Sequence, residues 1–221
     1  MTSIVSWSGG KDSCLALWRA QSHRKFSGLL TALDETGLKA RSHGVSLALL
    51  QAQARALALP CIFFSSGWKD YEAKFIQCLQ SAYAKGAREV VFGDIDLQAH
   101  RDWEEKVCGG QRMRVHLPLW GENRLKLVHE FLAAGFKARV VCVDARFLDA
   151  SFVGREFDQA YIDSLPLGVD ACGENGEFHT FVYDGPNFSR PVAFKSLGLK
   201  TSDSLPVLGK LSYHFDLLDI P

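Results

Sequence analysis

The sequence predicts an α/β protein: a Rossmann-like, doubly wound parallel sheet followed by a smaller C-terminal α+β subdomain. Three observations support this prediction. Short apolar, β-rich runs alternate with amphipathic stretches of helical period until Asp144, as expected for strands joined by helical crossovers. A loop with two glycines stands directly between the first apolar run and the first helical stretch. After Asp144 the alternation lapses and Gly-rich, β-like segments follow.

The elements of the first part are predicted in chain order. The strands are the apolar runs Ser3–Trp7, Phe26–Leu33, Cys61–Ser65, Glu89–Phe92 and Ala138–Val143. The helices are Asp12–Ala20, Val45–Leu59 before Pro60, Tyr71–Lys85 before Gly86, and Gln98–Val107. Because crossovers of this length join parallel strands, ligands are expected at the carboxyl ends of the strands.

The segment after Asp144 predicts a second subdomain. Its β-like stretches lie near Val192–Phe194 and Leu211–Leu217, behind the Gly-rich run Cys172–Pro186. We therefore predict an N-terminal domain of residues 1–145 and a C-terminal, substrate-binding subdomain of residues 146–221. The active site is expected in the cleft between them.

Composition limits the possible classes of function. The 221 residues are 47% hydrophobic and 23% charged, which is ordinary for a folded globular protein. The formal net charge is zero, so there is no strong nucleic-acid signal. No signal-peptide pattern or membrane-length apolar run is present, so the cytoplasm is the expected location. The six cysteines contain no CxxC pair, and we expect no structural zinc site.

Residues 8–13, Ser-Gly-Gly-Lys-Asp-Ser, are named the glycine loop. Gly9 and Gly10 can turn successive N–H groups inward to bind an anion, and the N-terminus of the following helix adds its dipole. Lys11 adds a positive charge, and Ser8 and Ser13 add hydroxyl donors. Asp12 can cap the helix or help to hold magnesium on phosphates. The loop matches neither a Walker A motif nor GxGxxG, and the alternative interpretation is a plain Gly-Gly turn.

The glycine loop resembles the SGGxDS signature of the PP-loop ATP pyrophosphatases, which have an adenine nucleotide alpha hydrolase-like fold. The resemblance implies that ATP binds to Ser8, Gly9, Gly10, Lys11, Asp12 and Ser13. It also implies that Lys11 and Asp12 are catalytic, that Asp12 is a metal ligand, and that ATP is split to AMP and pyrophosphate. His43 opens a helix near the place where such enzymes hold adenine and ribose, so it is a further ATP-binding candidate.

A second motif covers residues 173–180, Gly-Glu-Asn-Gly-Glu-Phe-His-Thr. Its two carboxylates, each after a glycine, could bind an ammonium, a metal or an amine, and the alternative is a solvated acidic turn. Together with Phe92–Ile95 and Pro118–Trp120, the motif resembles the signature of the diphthine–ammonia ligase family. In that family ATP adenylates the diphthine carboxylate, and ammonia then displaces AMP to give an amide. Asn175 stands where the family has glycine and His179 where it has glutamate, which leaves the acceptor open.

The substrate-binding candidates come mainly from this second motif. They are Asp94, Arg101, Gly173, Glu174, Glu177 and His179. Glu174 and Glu177 are also predicted to be catalytic, and His179 could accept a proton if its pKa stays near the ordinary value. Arg101 is four residues before Glu105, a spacing that also fits a surface ion pair.

The resulting hypothesis is an AMP-forming ligase that uses ATP and Mg²⁺ to adenylate an acceptor carboxylate and amidate it with ammonia. The acceptor could be a small molecule or a protein-borne group. One alternative is a sulfur-inserting tRNA-modification enzyme, against which the absence of a CxxC pair and the zero net charge stand. Another is a non-catalytic ATP-binding sensor, against which Lys11 and Asp12 stand. The sequence is compatible with a homodimer.

Overall fold

The computed structural model describes residues 2–41, 43–203 and 212–221. Its helices and strands alternate through the first half of the chain, and strands dominate the second half. In chain order they are β1 (Thr2–Ser6), α1 (Lys11–Ala20), β2 (Lys25–Leu33), α2 (Leu47–Ala56), β3 (Cys61–Ser65), α3 (Tyr71–Ala84), β4 (Glu89–Val91), α4 (Gln98–Gly109), β5 (Arg114–His116), α5 (Arg124–Ala133), β6 (Lys137–Asp144), α6 (Gln159–Asp163), β7 (Phe178–Asp184), β8 (Lys195–Asp203) and β9 (Ser212–Asp219).

The first sheet has five strands in the order β3-β2-β1-β4-β5, and all its pairings are parallel. Neighbouring residues of the central strand β1 point to opposite faces of the sheet. Ile4 packs with the core that contains Phe75 of α3, whereas Val5 packs with the core that contains Leu15 of α1 and Leu127 of α5. Helices therefore cover both faces, and the predicted doubly wound α/β fold is confirmed.

The second sheet has four strands in the order β7-β6-β9-β8, and all its pairings are antiparallel. It contains Ala138–Val143, for which we predicted a strand of the parallel sheet, and that prediction is wrong. A strand buried on both faces has the same apolar sequence in either kind of sheet. Its partners here, β7 and β9, come from much later in the chain. The fifth parallel strand is instead the short Arg114–His116, which has no apolar run to mark it.

Two further predictions concern the C-terminal part. Val192–Phe194 precedes a strand, since β8 begins only at Lys195. The predicted Leu211–Leu217 falls largely within β9, while Leu211 itself lies outside the described residues. The domain boundary at residue 145 stays a prediction, although the membership of β6 in the second sheet favours an earlier one. Across the part of the chain that is described, no helix combines the length and apolarity needed to cross a membrane.

Candidate functional site

The glycine loop joins the carboxyl end of β1 to the start of α1. Gly9 has a φ of +83°, a conformation that strains other residues, and a Cβ there would also lie 2.7 Å from Gln53 Oε1. The loop is closed from within, because the Gly10 N–H donates to Ser8 Oγ (3.2 Å) and Ser13 Oγ donates to the Gly10 carbonyl (3.0 Å). The sequence therefore produces a preformed loop at a helix N-terminus.

Lys11 and Asp12 form an ion pair in the first turn of α1. Lys11 Nζ lies 2.7 Å from Asp12 Oδ2 although the lysine is buried. Burial lowers the pKa of Lys11, but the Asp12 carboxylate together with Cys172 and Glu174 outweighs it, and the pKa is raised overall, so the ammonium stays charged. The prediction that Asp12 could cap α1 is wrong, because Gly10 occupies the N-cap position and Lys11 engages the Asp12 side chain.

Strand β7 of the second sheet holds the glycine loop in place. The Lys11 N–H donates to Thr180 Oγ1 and the Val182 N–H donates to the Gly9 carbonyl, both at 3.0 Å. Gln53 of α2 also links the glycine loop to β7, since its Nε2 donates to the carbonyls of Gly9 (3.0 Å) and Val182 (2.6 Å). The loop is thus positioned by both sheets.

A cavity of about 890 Å³ opens between the glycine loop, the β4–α4 connection and the turn that precedes β7. It brings together most of the residues predicted for the site. Those that line it are Ser8, Lys11, Asp12, Ser13, His43, Asp94, Gly173, Glu174 and His179. Gly9, Gly10, Arg101 and Glu177 do not belong to its lining.

Glu174 enters the cavity near the ion pair of the glycine loop. The pKa of Glu174 is raised to about 7, chiefly by burial and then by the Asp12 and Asp94 carboxylates, while Lys11 opposes the shift. The Glu174 N–H is anchored on Asp170 Oδ2 at 3.0 Å. Three carboxylates from three separate loops therefore share this region of the cavity.

Glu177, predicted to be catalytic, is turned away from the cavity. Its carboxylate accepts the N–H (3.0 Å) and the Nδ2–H (2.9 Å) of Asn175, and the N–H of Asp170 (3.3 Å). The residue is only 2% exposed. The structure therefore does not bring Glu177 together with Glu174, because its carboxylate closes the turn from inside.

The rings of His43 and His179 are in contact, with their centroids 4.7 Å apart and their planes tilted by 36°. His43 Nδ1 lies 2.9 Å from the Thr180 carbonyl, which makes Nδ1 the protonated nitrogen. A Cβ at Gly10 would lie 2.5 Å from His43 Cε1, so this histidine packs tightly against the glycine loop. Burial lowers the pKa of His179 well below its ordinary value, and His43 and Lys11 lower it further. We predicted His179 as a proton acceptor only if its pKa stays near the ordinary value, and its pKa does not.

Two cavity residues that the sequence analysis missed are His100 and Glu104 on α4. His100 Nδ1 lies 2.8 Å from Asp94 Oδ1. The pKa of Glu104 is raised to about 10, chiefly by burial and then by its hydrogen bond to Asp94, so Glu104 holds a proton at neutral pH. The spacing of four residues between His100 and Glu104 was the available signal, because it puts both on one face of a helix.

Arg101 lies on the neighbouring face of α4, outside the cavity. Its Nε is 2.7 Å from Glu105 Oε1, and its guanidinium carbon is 5.1 Å from the Trp120 ring centroid. The surface ion pair expected from the sequence is therefore present. Substrate binding by Arg101 stays a prediction. The position of Arg101 outside the cavity does not support it.

Arg124, at the start of α5, connects the turn before β7 to the β4–α4 connection. It donates to both carboxylate oxygens of Asp96 (2.8 and 2.6 Å), to Asp170 Oδ2 (2.9 Å) and to Asn175 Oδ1 (3.3 Å). Asp170 in turn anchors the Glu174 N–H. This network sets the separation between Asp94 and Glu174.

The residues present fit a magnesium ion that is held largely by substrate phosphates. In the described ranges, no three or more His, Cys, Asp or Glu side chains are grouped as metal ligands. Mg²⁺ commonly takes one or two carboxylates and completes its shell with phosphate oxygens and water. Asp12, beside the glycine loop, can supply one such ligand.

The sequence of this chain is similar to known protein families and to known proteins. Residues 1–115 match the diphthamide synthase N-terminal domain, and residues 123–201 match the diphthamide synthase C-terminal domain. The Mus musculus diphthine–ammonia ligase is 27% identical over 216 residues, which cover 86% of this chain and 81% of that protein. The Homo sapiens diphthine–ammonia ligase is 32% identical over 97 residues, which cover 42% of this chain and only 36% of that protein.

Among solved structures, a predicted subunit of tRNA methyltransferase from Methanocaldococcus jannaschii aligns with a TM-score of 0.42 and 17% identity, over 64% of this chain and 80% of that one. The two family models cover the parallel sheet with its glycine loop, and most of the segment that builds the other wall of the cavity. The chain therefore belongs to the diphthamide synthase family.

Proposed function

We propose that this protein is an ATP-dependent ligase that joins ammonia to an acceptor carboxylate and releases AMP and pyrophosphate. One observation carries the proposal: the preformed glycine loop, with its buried and charged lysine, shares a single cavity with Glu174. The diphthine–ammonia ligases named among its relatives support the same reaction class.

In the first half-reaction, the glycine loop and Lys11 hold the β- and γ-phosphates of ATP. An oxygen of the acceptor carboxylate attacks the α-phosphorus, and the bond from that phosphorus to the bridging oxygen breaks. Pyrophosphate leaves with the electron pair, and Lys11 stabilises the charge that develops on it. Magnesium bound to the phosphates would neutralise further charge, with Asp12 as its protein ligand.

In the second half-reaction, the nitrogen of ammonia attacks the acyl carbon and the bond to the AMP oxygen breaks. The nitrogen must lose a proton in this step. Glu174 is suited to accept it, because a carboxylate with a pKa of about 7 exchanges protons readily at neutral pH. Asp94 can accept a hydrogen bond from the incoming ammonia.

The experiment compares three proteins: wild type, Lys11→Ala and the control Lys126→Ala, which removes an exposed lysine paired with Glu122. Each is incubated with MgATP, ammonium chloride and a small-molecule pool from a cell extract. AMP, ADP and amidated products are followed by mass spectrometry, and MgATP affinity by calorimetry.

We expect Lys11→Ala to weaken ATP binding by at least about tenfold, as the loss of a charged phosphate contact costs roughly 1.5–3 kcal/mol, or to abolish turnover. The control should match the wild type. ADP as the product, or a Lys11→Ala protein with normal affinity and turnover, would rule out the proposal. ATP binding without any AMP release, both with the small-molecule pool and with the proteins of the same extract as acceptors, would favour the sensor alternative.

A further inference from the structure

Arg41, Trp68 and Tyr71 form a second cluster at the cavity that the proposed reaction does not use. The guanidinium carbon of Arg41 lies 4.1 Å from the ring centroid of Trp68 and 5.5 Å from that of Tyr71. Nη1 donates to the carbonyl of Ser66 and to its Oγ (3.1 Å), which fixes the orientation of the group. The guanidinium is therefore held firmly where it borders the cavity.

Arg41 also lacks a counter-charge. Arg19, Arg124 and Arg139 each contact a carboxylate, whereas none pairs with Arg41 in the ranges that the structure describes. Its Nε is buried and has no acceptor there. Because Nη1 is bonded to Ser66 and Nε is buried, Nη2 is the donor left for a ligand, and a carboxylate there would also balance the charge of the guanidinium.

Trp68 supplies a flat apolar surface next to this cation. It lies on the connection between β3 and α3 and is 84% exposed although it lines the cavity. An indole so poorly covered packs little with the core, so it can shift to receive a ligand without disturbing the fold. Because the Arg41 guanidinium lies over one face of the indole, the uncovered part of the ring is the apolar surface that a ligand could contact beside the cation.

The phosphates of ATP already have a cationic site, because the glycine loop and Lys11 supply it. A second, separate cation on the same cavity is therefore available to the other substrate. We propose that Arg41, Trp68 and Tyr71 form the acceptor subsite, which binds a carboxylate carried next to a flat or apolar group. The inference rests on the proposed ligase function for its acceptor.

The test uses benzoate, the simplest probe with a carboxylate on a flat ring, and benzamide as its neutral match. Binding to the full chain is measured by calorimetry and by tryptophan fluorescence, for the wild type, Arg41→Met and Trp68→Ala. Arg55→Met is the control, because Arg55 is an exposed arginine on α2. MgATP affinity is measured for each protein.

We expect saturable benzoate binding in the wild type and the control, weakened by at least about tenfold in Arg41→Met, as for the loss of a charge-assisted hydrogen bond. Trp68→Ala, which changes an exposed residue and should fold normally, should weaken benzoate too. Benzamide should bind poorly throughout, and MgATP affinity should change less than about threefold, well below the tenfold that 1.4 kcal/mol represents.

Equal benzoate binding in Arg41→Met, or no saturable binding in the wild type, would overturn the inference. A loss of MgATP affinity in Arg41→Met would assign the subsite to the nucleotide and would overturn it as well. Because benzoate binding needs no turnover, a failure of the ligase assay leaves this result readable on its own.

Discussion

At the scale of single residues, the most unusual feature is the carboxyl pair of Asp94 and Glu104. The pKa of Glu104 rises to about 10, mainly because the side chain is buried. Burial also acts to raise the pKa of Asp94, but hydrogen bonds from His100 and Glu104 outweigh it, so the pKa of Asp94 is lowered. One proton therefore stays on Glu104 and is donated to Asp94. This arrangement keeps Asp94 ionised at the cavity wall.

The pair makes folding stability depend on pH in a predictable direction. Glu104 has a pKa of about 10 when folded and an ordinary value of 4.5 when unfolded, so between these values the folded state binds more protons. The free energy of unfolding contributed by Glu104 must then fall as pH rises through this window. Glutamine can donate to Asp94 but cannot ionise, so Glu104→Gln removes this loss.

We therefore expect Glu104→Gln to melt at a higher temperature than the wild type at pH 8, by about 2–4 °C for each kcal/mol gained, and to melt nearly with it at pH 5. Thermal unfolding at the two pH values measures this. Glu105→Gln is the matched control, because its side chain is half-exposed on the same helix. A lower melting temperature for Glu104→Gln at both pH values would contradict the protonated pair.

At the scale of elements, the critical contact is between the end of β4 and the first turn of α1. A Cβ at Gly93 would lie 2.8 Å from the carbonyl carbon of Asp12 and 2.9 Å from the N of Ser13, both backbone atoms. Backbone cannot move aside as a flexible side chain can. Because residue 93 is a glycine, the glycine loop can pack directly against the carboxyl end of β4.

Gly93→Ala should consequently destabilise the protein by about 1–3 kcal/mol, the usual range for overpacking, and should weaken ATP binding because the displaced atoms belong to the loop. Gly109→Ala, at the end of α4 with nothing within 4 Å, is the control and should be neutral or stabilising. Denaturant unfolding and calorimetry give the two values. Wild-type ATP affinity in Gly93→Ala would show that the loop can shift without loss.

At the scale of the whole molecule, the two sheets meet at the glycine loop, and Gln53 is the side chain that ties them. It is fully buried, accepts a hydrogen bond from Trp7 Nε1 (3.2 Å), and donates to the carbonyls of Gly9 and Val182. Removing it leaves buried donors and acceptors without partners. Loss of the Gln53 side chain should therefore displace β7 and distort the glycine loop at the same time.

Gln53→Ala should lower stability by about 1–3 kcal/mol for each buried group left unpaired, and it should also weaken ATP binding. Gln51→Ala changes an exposed glutamine of the same helix and should leave both quantities unchanged. Thermal unfolding followed by calorimetry at a temperature where both variants are folded separates the two effects. A Gln53→Ala protein that is less stable but binds ATP normally would show that the loop keeps its shape without the Gln53 side chain.

The features that depend on a few neighbouring residues can be predicted from the amino-acid sequence alone. The strand, loop and helix around Gly9 and Gly10, and the end of α3 before Gly86, follow from local backbone preferences, and the structure contains both. The parallel sheet followed from alternating apolar runs. These signals are readable because each depends on residues within about one helical turn or one strand of each other.

The set of residues that share the cavity depends on long-range packing. Thr180 reaches His43 across 137 positions of sequence, and Arg41 meets Trp68 from a separate loop, so no local pattern could pair them. Glu177 lies three residues from Glu174 in the same Gly-rich turn, yet one carboxylate faces the cavity and the other closes the turn. The same holds for β6, whose apolar run suits either sheet. Burial on both faces leaves the choice of partner to long-range packing.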